Sequence, residues 1–166
     1  MKQRPDNWNR IYSRVLEAER DFGMLRRGDR VLLGISGGSD SLVLLDLLAY
    51  QRQALSRRLG ITVTAAHVPG RYRGRPIAPA ARLATLCRER DIPLVVAGQE
   101  LRDDTFLDCF SCARARRRIL FDLAMRQGCG TLALGHNADD LAETALLNIL
   151  YAGHFAALLP RQQLLK

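Results

Sequence analysis

The chain is short of lysine, of paired cysteines and of long apolar runs. Only Lys2 and Lys166 are lysines among 166 residues, although the formal net charge is +8. Arginine supplies almost all of the positive charge. An excess of that sign favours a polyanionic partner such as nucleic acid, and it equally fits a solvated surface whose cations are spelled as arginine. No apolar run is long enough to cross a bilayer, and "MKQRPDNWNR" holds no apolar leader. The expectation is a cytoplasmic protein with no membrane partner. Four cysteines are present, Cys87, Cys109, Cys112 and Cys129, and only two of them are close together. In that compartment they point to metal or redox chemistry rather than a disulfide frame. Internal repeats, low-complexity tracts and interdomain linkers are absent as well.

What is present alternates. Residues 8–22 place Trp8, Ile11, Tyr12, Val15, Leu16 and Phe22 at helical spacing. "VLLGI" (31–35) is too short for a helix and is flanked by glycine, so it reads as a buried parallel strand. A helix follows over 42–55, then a β-branched strand over 61–68. Residues 69–79 read as a loop, 79–90 as a helix, 92–98 as a strand and 99–108 as a loop. The series closes with a helix over 113–127, a strand over 131–135 and a helix over 139–151. Strands alternating with helices give an α/β fold, a parallel sheet with helices on both faces, in one domain spanning 1–166. Ligands of such sheets gather at the carboxyl ends of the strands, so the loops after 35, 68, 98 and 135 matter most.

The first of those loops, "GISGGSDS" (34–41), is glycine-rich and contains no lysine. That excludes the lysine-bearing phosphate loop. Gly34-Ile35-Ser36-Gly37-Gly38 matches the G-x-S-x-G nucleophile elbow, but that turn normally follows several strands and here only one precedes it. A pyrophosphate cradle accounts for more residues. Gly37 and Gly38 free the backbone to turn consecutive amides toward one point, and the following helix adds its positive end. Ser36, Ser39 and Ser41 add hydroxyls. Asp40 would repel phosphate alone and makes sense if Mg²⁺ lies between them.

Two further constellations follow. "CFSCARARRRILF" pairs Cys109 with Cys112 beside a run of arginines. C-x-x-C serves as half of a zinc site, as a redox pair or as two iron–sulfur ligands. Cys87 and Cys129 are isolated, which weakens zinc. Cys87 falls mid-helix and reads as a packing residue. "LALGHNADDLAETALLNIL" (132–150) ends a strand at Gly135 and then presents His136, Asp139, Asp140 and Glu143. Acids on a helix's first turn are dipole partners or, beside a nucleotide, metal and substrate ligands.

The S-G-G-x-D-S at Ser36–Ser41 resembles the signature of the PP-loop ATP pyrophosphatases, which have a Rossmann-like, adenine nucleotide alpha hydrolase-like fold. Adding the C-x-x-C, the arginine helix and the G-H-x-x-D-D segment, the chain resembles the tRNA 2-thiocytidine synthetase family. The likeness is carried by Cys109, Cys112, Arg116, Arg117, Ala124, Leu134, Gly135, His136, Asp139, Asp140, Thr144, Asn148 and Gly153. The 2-thiouridine enzymes share all three motifs, and the lysidine synthetases share the first and third.

This resemblance implies an ATP-dependent tRNA sulfurtransferase. ATP adenylates the C2 oxygen of a pyrimidine, and sulfur held at a three-cysteine [4Fe-4S] cluster displaces AMP. Ser36, Gly37, Gly38, Ser39, Asp40 and Ser41 would hold the pyrophosphate, with Asp40 placing Mg²⁺. Ala66, His67 and Val68 would lie along the adenine, and Gly135 and His136 beside the nucleotide. Cys109 and Cys112 would ligate the cluster. Arg116 would face the phosphates or departing AMP, and Asp140 the nucleotide or metal. Arg71, Arg73 and Arg75 are candidate tRNA phosphate contacts by charge and loop position. The implied partners are tRNA, a sulfur donor such as a cysteine desulfurase or free sulfide, and a second copy in a homodimer.

Two departures mark this chain. Ser39 stands where the thiocytidine enzymes usually have lysine. Their third cluster cysteine falls in a later segment that these 166 residues do not include. The expectation is a domain without the family's C-terminal part. It is matched by an alternative of another class, a nucleotide-binding module without catalysis.

Overall fold

The computed structural model describes residues 7–72, 75–98 and 109–162, and for 51–59, 71, 72, 75, 109 and 110 it describes the backbone alone. The chain divides into two compact units. One comprises Met1–Arg26 with His136–Lys166, and the other Arg27–Gly135.

The larger unit is built on a four-stranded parallel sheet in the order β5-β2-β1-β6. Its strands are β1 Arg30–Gly34, β2 Thr62–His67, β5 Leu94–Val96 and β6 Thr131–Ala133, and its helices are α2 Ser39–Leu59, α3 Ala80–Arg88 and α4 Cys109–Arg126. β1 is central because it is apolar on both faces. Val31, Leu32 and Leu33 are at most 1% exposed. Each such side chain contributes about 1.5–3 kcal/mol by leaving water. In register, Gly34 of β1 pairs with Ala66 of β2, and Val31 of β1 with Thr131 of β6. Side chains of α4 (Leu120, Leu123 and Ala124) pack with Leu32, Ala66, Val68 and Ala97. That face of α4 lies along the carboxyl ends of β2 and β5.

The smaller unit holds α1 Trp8–Phe22, α5 Ala138–Leu147 and a π-helical turn, Asn148–Ala152. α1 ends where Gly23 turns left-handed at φ 55° and its N–H bonds Glu19. Of the face expected for α1, Trp8 is buried, whereas Leu16 and Phe22 are exposed.

The elements agree with the expected alternation, with differences at the edges. The loop over 69–79 contains a short antiparallel ribbon, β3 Arg71–Tyr72 with β4 Arg75–Pro76. α2 starts three residues before Leu42, inside the glycine-rich motif. α4 starts at Cys109, so the cysteines lie within the helix rather than ahead of it. The expected loop over 99–108 lies outside the described residues, as does Arg73.

Candidate nucleotide and cysteine site

The glycine-rich loop leaves β1 at Gly34 and becomes α2 at Ser39. Gly37 sits at φ +89°, a region that L side chains rarely enter. A Cβ there would also fall 2.7 Å from the Ala78 Cβ. Both constraints demand glycine.

The loop is braced from within by Ser41, which is buried. Its hydroxyl donates to the Gly38 carbonyl at 2.9 Å and accepts from the Ser36 N–H at 3.2 Å. It also accepts from the Ser36 hydroxyl at 3.2 Å, while the Ser36 oxygen accepts from the Gly38 N–H at 3.2 Å. Ser36 and Ser41 therefore fix the loop's shape. Ser39 and Asp40 are exposed on the first turn of α2, with the Ser39 hydroxyl 3.3 Å from Asp40 Oδ1. Gly135 closes the arrangement from behind. A Cβ on it would come within 2.9–3.0 Å of the Asp40–Ser41 backbone, so its bare Cα admits the first turn of α2.

The loop's entry is pinned by β2. The Ile35 N–H donates to Ala66 O at 2.8 Å, and His67 Nδ1 stands 2.9 Å from Ile35 O. A carbonyl only accepts, so Nδ1 carries a proton and donates it to Ile35 O. His67 is 3% exposed, and Nε2 is buried without a partner among the described residues. Ala66 and Val68 on either side are buried too.

α4 brings the cysteines to the same end of the sheet. Cys109 and Cys112 are three residues apart in its first turn, hence on one side of the helix. Cys112 is half-buried and packs against the cluster that contains Ala66, Val68 and Ala97. One turn on, Arg116 Nη2 lies 3.8 Å from Cys112 Sγ. Arg114, Arg117 and Arg118 point to solvent, and Arg116 is the arginine of the run that turns inward.

The remaining cysteines stand apart. Burial pushes the Cys87 thiol up, against the pull of the Arg90 guanidinium. Cys129 precedes β6, at the amino end of the sheet. Among the described residues, no group of three or more His, Cys, Asp or Glu side chains could hold a metal ion.

In the other unit, His136 is exposed and Asn137 caps α5. The Asn137 side chain accepts from the Asp139 and Asp140 N–H groups at 2.8 and 3.3 Å. Asp140 Oδ2 accepts from the Asn137 N–H at 2.7 Å. This reciprocal cap occupies one oxygen of Asp140 and leaves Asp139 exposed. Sequence reasoning passed over Asn137, although its spacing to Asp140 is a capping signal. It also passed over Ala78, which no pattern links to Gly37.

A profile of the PP-loop domain matches residues 8–162. The chain is 33% identical over 156 residues to the tRNA-cytidine(32) 2-sulfurtransferase of Anaeromyxobacter dehalogenans strain 2CP-C, covering 87% of this chain and 51% of that protein. It is 34% identical over 160 residues to the protein of that name from Geobacter sulfurreducens, covering 93% and 61%. Among solved structures it resembles the U34-tRNA thiolase NcsA from Methanococcus maripaludis with its [4Fe-4S] cluster. The TM-score is 0.71 at 24% identity, over 87% of this chain and 50% of that one. At that identity the likeness speaks for the fold. The chain spans about half the length of the curated relatives it matches, 51% and 61% of these two. The matched profile, the S-G-G-x-D-S loop at the end of β1 and the parallel sheet agree, and the chain belongs to the PP-loop domain family.

Proposed function

We propose that this chain binds ATP and adenylates a tRNA cytidine for replacement of its C2 oxygen by sulfur. One observation carries the reading. The glycine-rich loop and the helix that starts at Cys109 lie at the carboxyl end of one sheet, in a chain 33% identical to a protein named tRNA-cytidine(32) 2-sulfurtransferase. Adenylation and sulfur delivery must act on one atom of one base, so their groups must share a site.

The loop amides around Gly37 and the positive end of α2 attract the β- and γ-phosphates. Asp40, exposed beside Ser39, would hold a Mg²⁺, whose charge would offset that of the phosphates. The backbone at the end of β2, along Ala66, His67 and Val68, is proposed to contact the adenine, with His67 fixing the loop entry. The C2 oxygen of the base attacks the α-phosphorus, the α–β bond breaks, and pyrophosphate leaves into the loop. Arg116 offsets charge developing on the AMP leaving group. Cys109 and Cys112 would supply two thiolates to an iron–sulfur cluster, whose chemistry when bound is to present sulfur to the activated carbon. Gly135, His136 and Asp140 are proposed nucleotide contacts on the family resemblance alone. Arg71, Arg73 and Arg75 are proposed to meet tRNA phosphates. Sulfide or a cysteine desulfurase is the proposed donor, and a second copy of the chain the proposed assembly partner. The 1–166 segment acts as one PP-loop domain in this reading.

The test is anaerobic incubation with ATP, Mg²⁺, sulfide and unmodified tRNA, followed by nucleoside mass spectrometry and iron counting. The expected result is 2-thiocytidine, absent with Cys112→Ala. Bound ATP with no thionucleoside and no iron would instead identify a nucleotide-binding module.

A further inference from the structure

α4 carries its charge on one side. Its inner face is apolar, with Leu120, Leu123 and Ala124 buried and Ala115 and Ile119 half-buried beside them. Arg116 turns in with that face, toward Cys112. Arg114, Arg117 and Arg118 are exposed. At 3.6 residues per turn they share an arc of about 100° on the opposite side of the helix.

These three cations have no counter-charge among the described residues. The ion pairs there are made by Arg14, Arg20 and Arg90. Asp122 is the one acid in the sequence of α4, and the first turn holds none. Like charges three and four residues apart repel across a helix surface. Such a face is more stable against an anion than bare.

The face also adjoins the cysteine site. Arg114 follows Cys112 by two residues and Arg118 follows it by six, about 3 and 9 Å along the helix axis.

We infer that the outer face of α4, through Arg114, Arg117 and Arg118, holds the phosphate backbone of the tRNA whose base is delivered to Cys112. This deepens the reading above and rests on its tRNA substrate. A base that reaches Cys112 brings its flanking phosphodiesters with it. The inner side of α4 is closed by the sheet, so the RNA strand passes over the outer side. Guanidinium groups grip phosphate oxygens in bidentate pairs and stay charged throughout the physiological pH range. Such contacts fix the position of the strand without reading its sequence, which leaves base choice to the site itself.

The topology supplies a matched control. The β2-to-β5 and β5-to-β6 connections cross the sheet in opposite directions, so right-handed crossovers put α3 and α4 on opposite faces. Arg88 ends α3 and Arg27 precedes β1. Both are exposed at the amino end of the sheet, away from the cysteines.

The experiment is binding of fluorescently labelled, unmodified tRNA to the full chain, read by anisotropy across a salt series. Arg114→Gln/Arg117→Gln/Arg118→Gln should weaken binding at least about 30-fold near 0.1 M salt and lower the salt slope by about 2–3. Glutamine is a good helix former, so circular dichroism and ATP binding should match wild type. The same three positions changed to lysine should keep the wild-type slope. Arg27→Gln/Arg88→Gln should bind tRNA within about two-fold of wild type. Wild-type affinity in the triple glutamine variant would overturn the proposal, and so would equal weakening by the control pair. Lysine variants as weak as the glutamine ones would overturn it too. A wild type that binds no tRNA would sink the substrate reading and this face with it. Nucleoside mass spectrometry on the same samples separates the two. Thiolated tRNA alongside undiminished binding by the triple glutamine variant would remove only the face.

Discussion

Two leucine-rich stretches of this chain have opposite fates. In β1, Val31, Leu32 and Leu33 are sealed between neighbouring strands and helices. In α5 and its π-helical turn, Leu146, Leu147, Ile149 and Leu150 stand in solvent. Apolarity says that a stretch wants cover. Period and position decide whether the chain supplies that cover itself. β1 lies inside a four-stranded parallel sheet, and α5 follows β6.

The contrast is sharpest in stability. Leu33→Ala should cost about 2–5 kcal/mol by leaving a cavity in a packed core. Leu150→Ala should change the single chain by about 0.5 kcal/mol or less. Urea unfolding at low protein concentration reads both, and equal losses would refute the assignment of core and surface.

The loop beside β1 gives the next largest effect. Gly37→Ala meets both a left-handed backbone and the Ala78 side chain. It should reduce ATP-dependent pyrophosphate release at least about 100-fold, with ~1–3 kcal/mol of strain in the fold. Ser41→Ala removes the brace of that loop while leaving its glycines. Losing the hydrogen bonds of this buried hydroxyl should cost about 1–3 kcal/mol and show mainly as a raised KM for ATP. On the other side of the comparison, Asp140→Ala removes half of a helix cap and should cost about 0.5–2 kcal/mol, read by thermal melting.

The smallest effect concerns the cysteines. Burial holds the Cys87 thiol above the ordinary range, so less of it is thiolate than of a free cysteine at any given pH. Alkylation at pH 8 should label Cys112 well before Cys87. Its linkage has one sign. The folded state keeps the proton longer than the unfolded one, so this stability is present below the ordinary thiol range and fades as pH rises through it.

Much of this was legible beforehand, for stated reasons. β1 and the loop after it were readable because a five-residue apolar run closed by glycines has few alternatives. α4 began earlier than expected because Cys109, Phe110 and Ser111 are weak helix formers, which local propensity leaves outside a helix. The ribbon at 71–76 hid among glycines and prolines that signal a loop equally well. Ser41 gave no sign of facing inward, since a hydroxyl serves a phosphate or its own backbone alike. Gly135 was expected beside the nucleotide, and its close approach to the Asp40–Ser41 backbone had no sequence signal. The π-helical turn has no local sequence signal that separates it from a continuing α-helix.

The measurement that bears most directly on the central claim is pyrophosphate release from ATP by the intact chain, with and without unmodified tRNA. The account predicts release that rises with tRNA and disappears with Asp40→Asn or Gly37→Ala. Release that ignores tRNA and survives both substitutions, or no release above buffer, would contradict it.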